Sequence, residues 1–195
     1  MTRSVVQLGG QALKLDADGD TTIQVNTDDV LVVDTAGNEA MTIDASGRVT
    51  KALQPCFLVQ KNTQQQNLST GSYIDVTFEL ERFDVGSNFA SNVFTAPVTG
   101  KYQLNLNLRI DSLDTDSLYT LLYLTTSNRG YYHLVDTDVY SSDLSYHVFT
   151  ICTVADMDAN DTAKSQIYVA GGAAQTDIDG STGDPVTWMS GYLLG

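Results

Sequence analysis

Between Lys101 and Ile110, polar and apolar side chains alternate without a break. Successive side chains of a β-strand point to opposite faces, so all the apolar residues of this run would share one face. An alternation of this length predicts a strand with one face packed on a core and the other face polar. The run follows Pro97-Val-Thr-Gly100, where proline fixes φ and glycine permits unusual φ, which predicts a turn. The apolar set is Tyr102, Leu104, Leu106, Leu108 and Ile110.

The rest of the chain also favours strands and turns over helices. Of its 24 acidic residues only Glu39, Glu79 and Glu81 are glutamate, so aspartate, a turn former, dominates. We find no window with apolar residues at helical spacing between plausible caps. Strand-like runs recur at the short intervals typical of a sandwich. They span residues 56–60, 73–80, 92–94, 102–110, 119–125, 131–135, 147–154, 165–169 and 186–194.

The formal net charge of −14 limits the possible partners. A chain this acidic, without a basic patch, is not suited to bind a nucleic-acid backbone or an anionic membrane. The first ten residues lack the apolar region of a signal peptide, and no apolar run is long enough to span a bilayer. Cys56 and Cys152 lie in apolar strand-like runs, so we predict two buried free thiols in a reducing compartment.

The sequence divides into residues 1–53 and 54–195. In the first part a pattern of an apolar residue, Asp, two residues and Gly occurs at Leu15–Gly19, Val33–Gly37 and Ile43–Gly47. Each copy predicts a short strand that ends in a turn. Such short strands bury too little to be stable alone, but three intertwined chains would cover one another. The pattern is similar to that of phage fibre shafts and their attachment regions.

Residues 54–195 resemble the globular head of the complement-1q-type family, trimeric jelly rolls related to tumour necrosis factor. The resemblance is carried by Phe94, five residues, Gly100, one residue and Tyr102, and by the closing Thr187-Trp-Met-Ser-Gly-Tyr-Leu-Leu194. The sequence departs from the family at Leu104 and Leu106, where the family has aromatic residues. The resemblance implies an all-β, antiparallel two-sheet jelly-roll sandwich that assembles as a homotrimer, preceded here by a small β-rich segment.

No catalytic motif is recognisable. His133 and His147 lie in strand-like runs without a neighbouring nucleophile motif, and there is no phosphate-binding glycine loop or zinc spacing. Glu79 and Glu81 would share one face of a strand and are expected to face solvent. We therefore predict that the protein is not an enzyme and has no organic cofactor.

Clusters of aspartate are the only candidate metal ligands. Asp16, Asp18 and Asp20 look like the start of a calcium loop, but Thr27 stands where an EF-hand needs glutamate. Calcium occurs in the family that the head resembles, which makes two further sets weak Ca²⁺ candidates. The ordinary interpretation of all of them is a solvated turn. The two sets are Asp111, Asp114 and Asp116, and Asp156, Asp158 and Asp161.

Aromatic residues that crowd one predicted hairpin are the candidate binding residues: Tyr131, Tyr132, His133 and Tyr140. Alternation along a strand turns some of these rings outward. Three interpretations remain open, namely contact with a host protein or glycan, burial between the subunits of a trimer, and ordinary core packing.

The combination of an attachment segment and a terminal knob predicts a structural virion protein of a bacteriophage, such as a head fibre, a capsid decoration or a short tail fibre. Residues 1–50 would bind other virion proteins of the capsid, neck or tail, and the knob would be able to adhere to a host-surface glycan. Residues 170–185 are rich in Gly and Asp and are expected to form a mobile loop at the outer end. The alternative is a bacterial glycan- or protein-binding module of the same fold.

Overall fold

The computed structural model describes residues 11–27 and 29–195, and the chain divides into two compact units, Met1–Gln54 and Pro55–Gly195. Within the described residues every regular element is a β-strand, and all strand pairs are antiparallel. None of these residues forms a helix long and apolar enough to cross a membrane. The predicted all-β, antiparallel fold class is confirmed.

The first unit is one antiparallel sheet of five strands in chain order, which we call sheet 1. Three of its connections coincide with the Asp-x-x-Gly copies. Gly19, Gly37 and Gly47 have φ of 80°, 72° and 79°, a region that glycine occupies without strain. In the last copy Asp44 Oδ1 accepts hydrogen bonds from the backbone of Ser46 and Arg48, which fixes the turn. The strands are β1 (Leu13–Lys14), β2 (Thr22–Thr27), β3 (Val30–Thr35), β4 (Asn38–Ile43) and β5 (Val49–Thr50).

Sheet 1 has little core of its own. Val32 is its one fully buried apolar side chain among the described residues. The large apolar side chains that lie exposed in this unit are Leu13, Leu15, Val25, Val49 and Leu53. In the described part of this unit, one sheet without a second layer leaves these side chains exposed.

The second unit, which we call the head, contains twelve strands in two sheets. Sheet 2 has the order β13-β12-β15-β10-β9, with β7 also paired to β15. Sheet 3 has the order β14-β11-β17-β6-β8, with β16 also paired to β11. The strands are β6 (Cys56–Gln60), β7 (Tyr73–Asp75), β8 (Leu80–Asp84), β9 (Phe89–Ala90), β10 (Val93–Thr95), β11 (Gly100–Leu113), β12 (Tyr119–Thr126), β13 (Gly130–Asp136), β14 (Leu144–Met157), β15 (Thr162–Val169), β16 (Asp177–Ile178) and β17 (Trp188–Leu193).

The alternating run found in the sequence is β11, the strand that organises sheet 3. It pairs with β14 from Gly100 opposite Met157 to Leu113 opposite Leu144. All five of its predicted apolar residues are fully buried and face sheet 2. The hydroxyl group of Tyr102 donates a hydrogen bond of 2.8 Å to the carbonyl of Val98, so the turn before the strand is tied to the core.

The head has two distinct ends. Pro55, where it begins, and Gly195 lie at the same end, because Leu193 N donates to Pro55 O at 3.0 Å and Lys101 N donates to Gly195 O at 2.9 Å. The strand registers place four stretches of the chain at the opposite end, and we call these the far loops. They are residues 61–72, 114–118, 137–143 and 170–187.

The expectation that residues 170–185 form a mobile, exposed loop is wrong in the middle of that stretch. Ile178 is fully buried in the core, and β16 pairs with the far end of β11. The carbonyl of Thr176 also accepts a hydrogen bond of 2.8 Å from Leu68 N. One isoleucine among polar residues is enough to anchor the loop, because its side chain has nowhere apolar to go except the core.

Two other expectations also need correction. The strand predicted at residues 73–80 is two strands in different sheets, and the chain crosses between them at Val76, which is buried. Cys56 is only half-buried and Cys152 is exposed, so the two thiols are free but not both buried. Both cysteines occupy outward positions of sheet 3. Their sequence neighbours are apolar on both faces of the strand, so the sequence did not indicate which face each cysteine occupies.

Candidate functional site

Three of the four predicted aromatic residues lie together. Tyr131, Tyr132 and His133 line a groove of about 510 Å³ between β13 and β14, the edge strands of the two sheets. Residues 150–153 of β14 form its opposite wall. Tyr140 belongs instead to a far loop, residues 137–143, and does not line this groove. We call residues 130–134 and 150–153 the edge groove.

Both histidines of the chain pack around one phenylalanine at the edge groove. The rings of His133 and His147 meet Phe149 edge-on, with centroids 5.4 and 4.7 Å from the Phe149 centroid. Phe149 is fully buried, so the imidazoles close the open side of the sandwich. His133 Nδ1 lies 3.2 Å from the carbonyl oxygen of Thr150 and 3.4 Å from its backbone nitrogen. This nitrogen can therefore accept from the amide or, when protonated, donate to the carbonyl.

The stability of the head should depend on the charge of His147. Burial, and to a smaller extent the charge of His133, lowers the pKa of His147 below its ordinary value of 6.5. The unfolded chain then binds more protons than the folded one as pH falls below 6.5, so stability is full above that pH and declines below it. A His147→Gln variant should lose this dependence, as measured by chemical denaturation at about pH 7.5 and about pH 5.5.

His133→Gln is the matched control, because the burial of His147 remains. This variant should keep most of the decline in stability between the same two pH values. An equal decline in the His147→Gln variant and the unmodified protein would show that another group is responsible.

In the part of the chain that the structure describes, neither imidazole is hydrogen bonded to a carboxylate, a serine or a cysteine. Catalysis by a histidine needs a group that orients it and a nucleophile or proton acceptor within reach.

The outer face of sheet 3 is a second exposed surface, continuous with β14. Its most exposed apolar side chains occupy outward strand positions, and each is close to half exposed or more. Gln103, Asn105 and Asn107 of β11 separate the apolar groups of β14 from those of β17. These most exposed apolar residues are Phe83, Tyr146, Val148, Val154 and Tyr192.

The weak calcium candidates of the head are not assembled into a site. Asp114 is buried, and its carboxylate accepts backbone hydrogen bonds from Asp116 and Ala173. Asp111 is paired with Arg109, whose Nε lies 3.0 Å from Asp111 Oδ1. These carboxylates stabilise loops and strand ends, and the geometry does not support Ca²⁺ binding by Asp111, Asp114 and Asp116.

The second set has the same structural role. Asp161 Oδ2 accepts from Asp158 N at 2.8 Å and from Asn128 at 2.9 Å, and Asp156 pairs with Arg129 at 2.8 Å. Within residues 11–27 and 29–195, three acidic groups converge only at Asp16, Asp18 and Asp20. That cluster is fully exposed in the turn after β1, and Asp16 accepts from the backbone of Gly19 as a turn-forming aspartate does.

A group of tyrosines on sheet 2 was not found from the sequence. Five rings from four strands lie on the face of the sheet that points away from the core, and each contacts the next. Only Tyr132 was among the sequence candidates. The register of the strands, which brings the others beside it, has no signal in the sequence itself. We call Tyr73, Tyr119, Tyr123, Tyr132 and Tyr168 the tyrosine face.

Comparison with known proteins identifies the fold of the head. No protein-family model and no curated protein matches the chain. Among solved structures, the globular domain of zebrafish complement 1qA protein has a TM-score of 0.51 and 18% identity, covering 73% of this chain and 98% of that one. Murine APRIL at pH 8.0 has a TM-score of 0.52 and 10% identity, covering 72% and 99%. The predicted complement-1q/TNF-like jelly roll is thereby confirmed.

Proposed function

We propose that this protein is a trimeric, non-enzymatic structural protein of a bacteriophage virion. Residues 1–50 attach it to other virion proteins, and residues 54–195 form the presented knob. The observation that carries the proposal is sheet 1, an ordered single layer with its apolar side chains uncovered. A segment of this kind gains stability only when other chains cover it, as they do in a fibre shaft or an attachment region.

The head supports trimer formation by a second route. The edge groove and the outer face of sheet 3 are different surfaces, so a contact between them is heterologous rather than two-fold symmetric. A heterologous contact that closes on itself forms a ring. The resemblance of the head to complement-1q-type heads, which are trimers, favours a ring of three. The groove of one protomer would then receive apolar side chains of its neighbour such as Val154 and Tyr192.

The virion assignment draws on the first unit. Its Asp-x-x-Gly copies form successive tight turns in one narrow sheet, the pattern that resembles phage fibre shafts. An acidic, highly charged surface keeps many copies on a particle soluble and separate. Pro55, the first residue of the head, lies at the end of the head opposite the far loops.

Labelling of purified particles tests the virion assignment. Antibodies raised against residues 54–195 should bind intact virions produced by a strain that expresses the gene, and electron microscopy of gold-labelled particles should place them on the capsid, neck or tail. Unlabelled virions, with the label on the bacterial envelope instead, would favour the alternative of a cellular binding module and overturn the assignment.

Trimerisation should depend on Val154, at an outward position of β14. By light scattering at micromolar concentration, the unmodified protein should have about three times the 21.1 kDa mass of one chain. Val154→Asp would bury a carboxylate without a partner in the subunit contact, so this variant should dissociate to monomers. It should stay folded by circular dichroism, because residue 154 does not face the core of its own chain.

Val139→Asp is the matched control, since Val139 is also exposed but lies in a far loop. It should remain trimeric. A monomeric unmodified protein, or a Val154→Asp variant as trimeric as the control, would contradict the proposed contact.

A further inference from the structure

The tyrosine face is an ordered surface, because strand pairing fixes the positions of its rings. Strand pairing places Tyr132, Tyr123, Gln166 and Asp75 in one row across sheet 2. The next row contains Leu134, Leu121, Tyr168 and Tyr73. Their sequence neighbours on the same strands, among them Leu122 and Ile167, are buried in the core, so both rows face outward.

The rings support one another in a continuous chain of contacts. Tyr132 stacks on Tyr123 with centroids 5.8 Å apart, and Tyr73 meets Tyr123 edge-on at 5.6 Å. Tyr168 then contacts Tyr73 at 5.1 Å and Tyr119 at 6.0 Å. Tyr132 and Tyr73 remain 63% and 53% exposed, so the cluster keeps much of its surface open to solvent. Rings held by their neighbours lose little conformational entropy on binding a ligand.

A glycine holds one of these rings against the sheet. A Cβ atom at Gly130 would collide with the Tyr123 ring, so this ring lies directly over the backbone of β13. Because residue 130 has no side chain, the Tyr123 ring can lie against the backbone of β13, and a side chain at this position would displace the ring.

Hydrogen-bonding side chains border the rings on one side. Asp75 Oδ1 accepts from Lys164 Nζ at 2.9 Å and from Gln166 Nε2 at 2.8 Å, and Gln166 Oε1 accepts from Thr125 at 3.3 Å. In the part of the chain that the structure describes, Asp75 Oδ2 and the hydroxyl groups of the five tyrosines make no hydrogen bond within the protein. These groups are free to bind a ligand, while the amide and carboxylate beside them are fixed in place.

The charges on this face restrict what it can bind. Among the described outward residues of β7, β12, β13 and β15, Lys164 is the one cation, and it is paired with Asp75. Asp136 adds a second acid in the row of Tyr119. An anionic polymer would meet an acidic face on a chain of net charge −14 and would be repelled. A neutral ligand with apolar faces and many hydroxyl groups suits both the rings and the polar border.

We propose that the tyrosine face binds a neutral pyranose glycan, with sugar rings on Tyr73, Tyr123 and Tyr168 and sugar hydroxyl groups on Asp75 and Gln166. This inference rests on the proposed role of the knob in host contact and assigns that role to a site. It places glycan binding on sheet 2, apart from the outer face of sheet 3 used for the trimer. Tyr132 alone borders both this face and the edge groove.

Binding of the full-length protein to immobilised bacterial polysaccharides tests the site. Neutral O-polysaccharides should bind, and acidic capsular polysaccharides should not. An oligosaccharide fragment of the strongest neutral binder is then titrated against three variants, Tyr73→Ala, Tyr168→Ala and Asp75→Asn. Each tyrosine variant should weaken binding by about tenfold or more, since aromatic residues at the centre of a contact contribute most of its affinity. Tyr140→Ala, a change of another exposed tyrosine in a far loop, should have no effect.

Light scattering on each variant keeps this inference separate from the proposed function. The variants should remain trimeric, so loss of binding with an unchanged mass supports the site. A trimeric virion protein that binds no neutral polysaccharide would overturn the glycan site and leave the proposed function standing. Selective binding to acidic polysaccharides, or binding lost in Tyr140→Ala but retained in Tyr73→Ala and Tyr168→Ala, would also overturn it. The glycan site would also be overturned if protease treatment of host cells abolished attachment of the protein, because the receptor would then be a protein.

Discussion

Replacement of Gly191 by alanine should lower the free energy of unfolding of the head by about 1–3 kcal/mol, the usual cost of overpacking a core. Gly191 lies in β17 with its missing side chain directed into the sandwich. A Cβ atom there would be 2.6 Å from Phe57 Cε1 and 2.8 Å from Leu104 Cδ2. Both neighbours are fully buried, so neither can move aside without disturbing the core. Valine at the same position should cost more, because its two methyl groups need further space.

Gly183→Ala is the control for this prediction. Gly183 lies in a far loop, and the one atom near an added Cβ is Ser181 Oγ at 3.8 Å, an ordinary contact. Chemical denaturation should therefore give the unmodified stability for Gly183→Ala and a lower midpoint for Gly191→Ala. Equal midpoints would show that Phe57 and Leu104 adapt easily, and the steric explanation would then fail.

The Gly191 geometry also explains why part of the fold was readable from the sequence. The closing Trp-Met-Ser-Gly-Tyr segment carried the resemblance to complement-1q-type heads. At its glycine, the core side chains of Phe57 and Leu104, from the two strands that flank β17, occupy the space that a side chain would need. The alternation of β11 was readable for a similar reason, since a strand buried on one face must show a period of two. Both signals are local, because each sequence pattern lies within a single strand, β17 in the first case and β11 in the second.

The tyrosine face had no local signal. Tyr73, Tyr123 and Tyr168 are far apart in sequence and become neighbours only through the pairing of β7 and β12 with β15. Strand register depends on which partners pair, and one sequence does not reveal that. The burial of Ile178 was missed because the polar residues around it have the composition of a loop. The pairing of β16 with β11 and the backbone hydrogen bonds between Ile178 and Gln65 hold the segment in place, and both depend on residues far away in the sequence.

The last prediction concerns Lys61, whose side chain is 1% exposed and therefore almost completely removed from water. Its ammonium group donates to Thr77 Oγ1 at 2.6 Å and to Glu79 Oε1 at 3.0 Å. The other carboxylate oxygen, Glu79 Oε2, accepts from the backbone of Asn62 at 3.0 Å. Glu79 is exposed, as expected, but its carboxylate also compensates the charge of this buried lysine. Glu79 precedes β8, whereas Glu81 lies within that strand and is exposed as well.

The pKa of Glu79 reflects this environment. Burial alone raises it, but the hydrogen bonds from Thr77, Asn62 and Lys61, together with the charge of Lys61, outweigh burial and hold the pKa below the ordinary value of 4.5. A carboxyl group with a lowered pKa in the folded state stabilises the protein above its unfolded pKa. That stabilisation is lost as pH falls from about 4.5 through the folded pKa.

Glu79→Gln should therefore lower the free energy of unfolding at neutral pH by about 2 kcal/mol, because it leaves the ammonium group buried without a counter-charge. The full cost of breaking a buried pair is larger, but Glu79 is 33% exposed and solvent screens part of the interaction. The loss of stability in acid should also become smaller in this variant. Glu81→Gln, which changes an exposed glutamate two residues away, should alter neither quantity.

The double variant Lys61→Met/Glu79→Gln separates the buried charge from any other effect of residue 79. Removal of the ammonium group removes the need for a counter-charge, and methionine fills a similar volume, so the double variant should recover most of the stability lost in Glu79→Gln. Denaturation of the unmodified protein, Glu79→Gln, Lys61→Met and the double variant at neutral pH gives the coupling free energy between the two residues. If the losses of Glu79→Gln and Lys61→Met simply add in the double variant, the two side chains are independent, and Glu79 is not what makes a buried lysine tolerable at this position.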